Sequence, residues 1–213
     1  MIQVHHLNNS RSHRILWLLE ELGLDYEVIG YQRDPVTHLA PPALKRIHPL
    51  GKSPVLVDDG RVVAESGAIV EYLIQTHGHG RLAPAVGSAD WPAYVQWLHF
   101  AEGSAMLPLM LGLYCGRIGE AAAPVLPRIK SEVANHLGYL DASLEGRDFL
   151  VGTELTGADV QMSFVLEAAR GHLAHFPNLV RYLGTLQARP AYGRAVDRGG
   201  PYDLAAVKPR PKD

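Results

Sequence analysis

The stretch Gly51-Lys52-Ser53-Pro54-Val55-Leu56-Val57-Asp58-Asp59-Gly60, continued by Arg61-Val62-Val63-Ala64-Glu65-Ser66-Gly67-Ala68-Ile69, decides how the rest of the chain is read. Val55, Leu56, Val57, Val62 and Val63 are strand formers. Asp-Gly between two apolar runs is a strong hairpin signal. Glu65-Ser66 then precedes Ala68-Ile69-Val70-Glu71-Tyr72-Leu73, whose apolar spacing is helical. Ser66 is expected as the N-cap of that helix, with its hydroxyl and the free backbone N–H groups available to an anion.

Upstream, Ile2–Leu7 reads as a strand and Asn8-Asn9-Ser10-Arg11 as a polar loop. Arg14–Leu22 carries an apolar stripe of Ile15, Leu18, Leu19 and Leu22, with Ser12 as the expected N-cap and Gly23 at C′. Tyr26–Tyr31 supplies a second strand, so residues 2–31 form a βαβ unit whose strands are parallel. Residues 32–49 hold four prolines and suit an irregular excursion with one short helix near Pro42–Arg46. The resulting β-α-β-α-β-β-α order is a small α/β domain of thioredoxin-like topology. It is expected to span residues 1–78.

Residues 79–89, rich in Gly and Pro, read as a linker, and residues 90–213 carry helical signals only. The fold class is therefore α/β followed by all-α. Helices are expected from Asp90 to about Tyr114 with a kink near Pro108, over Pro124–Leu144, from Thr156 onward, and over Leu179–Ala188. A short turn is expected at Pro190, and the tail Lys208–Asp213 is expected to be disordered. Thr156-Gly157-Ala158-Asp159 reads as a capping box, with Leu155 and Val160 as a staple. Its expected role is folding, with Asp159→Ala lowering stability by about 1–2 kcal/mol.

The chain has 213 residues, 47% of them hydrophobic and 20% charged, with a formal net charge of −2. That composition is ordinary for a globular protein, and the absence of a basic stripe argues against nucleic acid as a partner. No apolar run approaches the ~20 residues that cross a bilayer, and the N-terminus lacks the pattern of a signal peptide. The single cysteine, Cys115, has no partner for a disulfide or a CxxC motif. It reads as a small buried hydrophobe. A reducing cytoplasm is the expected location. His5, His6, His77 and His79 lack the third ligand a zinc site wants, so no metal is expected.

Taken together, the small thioredoxin-like domain, the linker and the helical second domain resemble the cytosolic glutathione S-transferases. The resemblance covers nearly the whole chain. Its most specific part is Gly51-Lys52-Ser53-Pro54 with Glu65-Ser66-Gly67-Ala68-Ile69 beyond it, supported by Arg14–Gly23 and by Phe149-Leu150-Val151-Gly152 with Leu155–Asp159. It implies glutathione as co-substrate and a cis peptide bond before Pro54, which turns the Ser53 backbone toward an extended peptide. It also implies that Ser66 and Glu65 receive the γ-glutamyl carboxylate and ammonium, while Lys52 and His38 are candidates for further contacts.

The resemblance further implies a thiol donor in the loop after the first strand. Ser10 fits the serine-type pattern, and Asn9 and Ser12 are its rivals. With neither tyrosine nor cysteine in that loop, tyrosine-type and mixed-disulfide chemistry are not expected. The implied activity is conjugation of the glutathione thiolate to small hydrophobic electrophiles by a homodimer, with glutathione-dependent peroxidase activity as a second possibility. The implied dimer faces are the Ser66 helix and the Asp90 helix. Met106, Leu109, Met110, Leu113 and Tyr114 are the candidates for the electrophile pocket. The alternative is a non-catalytic glutathione-binding or interaction module of the same fold.

Overall fold

A computed structural model describes residues 1–200 together with Tyr202 and Leu204. The expected disorder of Lys208–Asp213 falls outside these described residues. Four strands, β1 (Ile2–Leu7), β2 (Tyr26–Tyr31), β3 (Val55–Asp58) and β4 (Arg61–Ala64), form one sheet in the order β2-β1-β3-β4. β1 and β2 pair in parallel, as the βαβ reading requires, and β3 runs antiparallel to both of its neighbours. Asp59 and Gly60 turn the β3–β4 hairpin at φ of 45° and 84°, the doubly left-handed turn that Asp-Gly favours.

Helix α1 (Ser12–Leu22) follows β1 and ends at Gly23, which is left-handed. Ile15, Leu16, Trp17, Leu18 and Leu19 on α1 are wholly buried. Helix α2 (Ser66–His77) follows β4, and a single 3₁₀ turn occupies Pro42–Arg46. The helical part comprises α3 (Trp91–Phe100), α4 (Met106–Gly116), α5 (Leu126–Ser143), α6 (Gly157–Ala168), α7 (Pro177–Gln187) and α8 (Pro190–Gly199).

Helix α6 is the axis of that half, with its first eleven residues, Gly157 to Glu167, all buried. Its start approaches the sheet domain so closely that a Cβ at Gly157 would lie 2.6 Å from Ile74 and 2.8 Å from Val70 of α2. The capping box is present: Thr156 N and Oγ1 both donate to Asp159 Oδ2 at 2.8 Å.

Several expectations are revised. The irregularity in the long rod is a π turn over Ala101–Ala105, joining α3 to α4, and lies upstream of the expected kink. Pro108 has no N–H for the carbonyl of Ser104, and the helical ladder widens just before it. The terminal turn at Pro190 is a ten-residue helix. Gly193 and Gly199 weaken its intrinsic propensity, but α8 is held to α1 by Arg189 on Glu21 and by Arg194 and Arg198 on Glu20. Cys115 is half-buried near the end of α4, not a core residue.

Ser12 and Ser66 are the first residues of their helices, and Arg11 and Glu65 occupy the cap positions. At α1 the serine oxygen that serves the helix start belongs to Ser10, which accepts the Ser12 N–H at 3.2 Å.

Candidate functional site

One cleft of about 250 Å³ opens between the two halves of the molecule. Arg11, His48, Leu50, Lys52, Ser53, Pro54, Val55, Ala64, Glu65 and Ser66 line it from the sheet domain, and Glu102 lines it from the π turn. Five of the sequence-predicted residues, Lys52, Ser53, Pro54, Glu65 and Ser66, are thus brought together. His38, Asn9, Ser10 and Ser12 are not among the lining residues.

The corner is built by the hairpin and its flanks. The Ser53–Pro54 peptide bond is cis. Ser53 Oγ turns into the sheet, donating to the His5 carbonyl at 2.8 Å and accepting the Leu7 N–H at 3.1 Å. Glu65 has φ of 70°, a left-handed backbone that a non-glycine residue rarely adopts, and it lies at the cap of α2.

The first turn of α2 leaves backbone N–H groups without intrahelical acceptors and carries the positive end of the helix dipole. Ser66 is 4% exposed, and its hydroxyl oxygen accepts Gln161 Nε2 of α6 at 3.1 Å. The one hydroxyl hydrogen of Ser66 therefore remains for an acceptor in the cleft. Gln161 was missed in the sequence, where it reads only as an interior position of an apolar helix.

The opposite wall is a charge clamp. Glu102 accepts Arg11 Nε at 2.8 and 2.9 Å and also accepts Arg14 Nη2. Arg14 is 1% exposed and donates through Nη1 to the Gln161 carbonyl at 2.6 Å. Both guanidinium groups lie 5.1 Å from the Phe164 ring centroid. Burial pushes the Glu102 carboxyl upward, but Arg14 and Arg11 outweigh it and hold the group below the usual carboxylate range.

The loop after β1 carries the three candidate thiol donors, and hydrogens can be counted there. His6 Nε2 faces the Gly199 carbonyl at 3.0 Å, and a carbonyl only accepts, so Nε2 carries the ring hydrogen. Burial lowers the His6 pKa and keeps the ring neutral, although the Gly199 contact opposes the shift. Its Nδ1 then accepts the hydroxyl of Ser12 at 2.9 Å. Ser10 Oγ lies 2.8 Å from the Leu7 carbonyl and 2.8 Å from Ser12 Oγ, and donates to one of these acceptors. Ser12 is wholly buried and Ser10 is 5% exposed.

Gly199 packs closely here: a Cβ would lie 2.8 Å from Leu16 Cδ1 and 3.3 Å from the His6 ring, so both would have to shift. Asn9 is half-buried with φ of 48°, and His38 is half-buried with φ of 58°.

Of the electrophile-pocket candidates, Met106 is 2% exposed and belongs to the core, whereas Leu113 and Tyr114 are 37% and 55% exposed on α4. Leu109 and Met110 are half-buried. The histidines proposed against as metal ligands use their rings elsewhere: His5 Nδ1 on Tyr31 OH, and His77 Nε2 on Asp58 Oδ2. Among the described residues no group of three or more His, Cys, Asp or Glu is arranged for a metal, and no helix is long and apolar enough to cross a membrane.

A thioredoxin-like sheet joined to a helical domain, with a charged cleft at the seam, defines a two-domain protein with an interdomain binding site. Two family models match the chain: the glutathione S-transferase N-terminal domain over residues 1–75 and the C-terminal domain over residues 104–190. Glutathione S-transferase 3 of Schizosaccharomyces pombe is 36% identical over 215 residues, covering 93% of this chain and 88% of that protein.

Among solved structures, a glutathione S-transferase from Actinobacillus pleuropneumoniae superimposes with a TM-score of 0.88 at 36% identity, over 98% of this chain and 97% of that one. A sphingomonad glutathione S-transferase complexed with glutathione gives 0.74 at 27% identity, over 93% and 98% of the two chains. The chain belongs to the glutathione S-transferase family.

Proposed function

We propose that the protein binds glutathione in this cleft, activates its thiol, and adds the thiolate to small hydrophobic electrophiles. The observation that carries the reading is the distribution of charge and donors around one cavity. Glutathione offers two carboxylates, one ammonium and an extended backbone. Lys52 and the Ser66 end of α2 suit the carboxylates, Glu65 suits the ammonium, and the Ser53–Pro54 edge suits the backbone. The proposal does not use His38.

Among the three loop residues we favour Asn9 as the thiol donor. The hydroxyl hydrogen of Ser12 goes to His6 Nδ1, and that of Ser10 goes to the Leu7 carbonyl or to Ser12 Oγ, both inside the protein. Asn9 is the one of the three that is partly exposed. A neutral amide donor near the sulfur stabilises the thiolate relative to the thiol and lowers a pKa that is near 8.5 in a free thiol.

The proposal keeps the division into a glutathione-binding domain at 1–78, a linker at 79–89 and a helical domain at 90–213. A cytoplasmic homodimer completes the proposal, supported by the exposed apolar residues Leu107 and Leu111 one turn apart on α4.

The test is a pH titration of bound glutathione by thiolate absorbance, with conjugation of a dinitrophenyl halide measured alongside. A bound thiol pKa well below the free value, raised by Asn9→Ala but unmoved by Ser10→Ala, is expected. A bound thiol that titrates like the free one refutes the catalytic reading and leaves the non-catalytic binding module. A pKa raised by Ser10→Ala and not by Asn9→Ala refutes the choice of donor.

A further inference from the structure

We propose that Arg33 is the positioning residue of the thiol-activating loop, a role that rests on the catalytic reading above. Arg33 lies just beyond β2, half-buried. Its guanidinium reaches three backbone carbonyls: Nε donates to Asn8 O at 3.1 Å, Nη2 to Asn9 O at 3.1 Å, and Nη1 to His38 O at 3.0 Å. Its own backbone N–H donates to Asn8 Oδ1 at 2.8 Å, and Asn8 N in turn donates to the Tyr31 carbonyl at 3.1 Å. One side chain therefore joins the loop after β1 to the Asp34–Leu39 turn.

The residues it holds are not relaxed ones. Asn9 and His38 are both left-handed, with φ of 48° and 58°. A left-handed non-glycine residue is strained and persists only where its surroundings over-determine it. At both positions the carbonyl is fixed by the Arg33 fork, whose planar geometry lysine cannot reproduce.

The charge is equally distinctive. Arg11 and Arg14 share Glu102, but among the described residues no carboxylate forms an ion pair with Arg33. Burial depresses its pKa, the nearby Arg11 adds to that, and Tyr114 opposes it. An arginine remains charged even so. An uncompensated cation thus lies under the loop where the thiolate forms, and it both fixes Asn9 and favours the anion.

Two variants separate these contributions from simple stapling of a loop. Arg33→Met removes fork and charge, whereas Arg33→Lys removes the fork and keeps the charge. The readouts are the bound thiol pKa, kcat and KM for glutathione, and amide exchange at residues 8–11. Arg33→Met is expected to raise the thiol pKa toward the free value and lower kcat on the order of tenfold or more, as loss of catalytic positioning does. KM for glutathione should stay near wild type, because Lys52, Glu65 and Ser66 are untouched.

Arg33→Lys should restore part of the pKa depression without restoring slow exchange at residues 8–11. A depressed wild-type pKa that is unchanged in Arg33→Met overturns the role of Arg33 and leaves the catalytic reading standing. A wild-type pKa equal to the free value overturns both. A rise in KM with unaltered kcat assigns Arg33 to binding and also refutes the proposal.

Discussion

Replacing Glu102 with glutamine tests whether the two domains are held at the cleft by charge. The perturbation keeps the size of the side chain and one acceptor oxygen but removes the negative charge shared by Arg11 and Arg14. Removing one partner of a buried ion pair costs about 3–5 kcal/mol, because the other charge stays buried without compensation. Here Arg14 is 1% exposed, while Arg11 and Glu102 are 29% and 31% exposed. The Arg11 half is screened by water and contributes little, so the expected loss is about 2–3 kcal/mol.

The sign with pH follows from the depressed carboxyl of Glu102. Its stabilisation is present above the unfolded value near 4.5 and is lost as pH falls through the lower folded value. Urea unfolding of wild type and Glu102→Gln at pH 7 and at pH 4 should give a difference at pH 7 that shrinks at the lower pH. A difference below about 0.5 kcal/mol at pH 7, in the range of an ordinary surface change, refutes the clamp.

Three further outcomes are expected. Gln161→Leu should raise KM for glutathione severalfold with little change in kcat, because it frees the Ser66 hydroxyl from its 3.1 Å donor; isothermal titration with glutathione checks this, and unchanged affinity counts against it. Asp159→Ala should cost about 3–4 kcal/mol by urea unfolding. Its carboxylate accepts Leu150 N, Thr156 N, Thr156 Oγ1 and Tyr182 OH, and four buried donors lose their acceptor together. A loss of only 1–2 kcal/mol, as for a cap alone, would contradict that.

His13 is buried, stacked 4.3 Å from Tyr202, and its pKa is lowered to about 4, chiefly by burial and then by His6. The unfolded chain binds a proton near pH 6.5 that the folded chain refuses, so stability falls by on the order of 3 kcal/mol between pH 6.5 and pH 4. His13→Phe should flatten that part of the profile, measured by thermal unfolding, and an unaltered slope would exclude His13.

The elements legible in the sequence are those fixed by neighbours along the chain. Asp59-Gly60 specified the hairpin turn, and Thr156 with Asp159 specified the start of α6 three residues apart. The β1-α1-β2 pattern specified a parallel pair. The sequence reading of the cleft recovered its hairpin side for the same reason, since Lys52 to Ser66 lie within fifteen positions.

What it missed are partners brought together across the domain seam. Arg14 meets Glu102 88 residues away, and Gln161 meets Ser66 95 residues away. No local period marks such pairs. The loop serines depend on a contact of the same long range. Their spacing before Arg14 is compatible with a hydroxyl at the sulfur, whereas in the structure Ser12 donates to His6 Nδ1, a ring oriented by the Gly199 carbonyl 193 residues further on, and Ser10 donates to the Leu7 carbonyl or to Ser12.

Folding signal and binding site meet in α6. The capping box fixes where that helix begins, and the residue two positions beyond Asp159 is Gln161. Its side chain must reach Ser66 while its carbonyl accepts Arg14. Helical geometry turns about 100° per residue, so a start shifted by one residue would carry Gln161 away from both partners. Arg14 would then keep only Glu102, and the Ser66 hydroxyl would lose the donor that leaves its hydrogen for the cleft. Asp159 therefore stabilises the helical domain and, through the register of α6, sets the orientation of a hydroxyl on the other domain. A variant that weakens the box without unfolding the protein should loosen glutathione binding before it affects the loop at Asn9, whose support comes from Arg33 and not from α6.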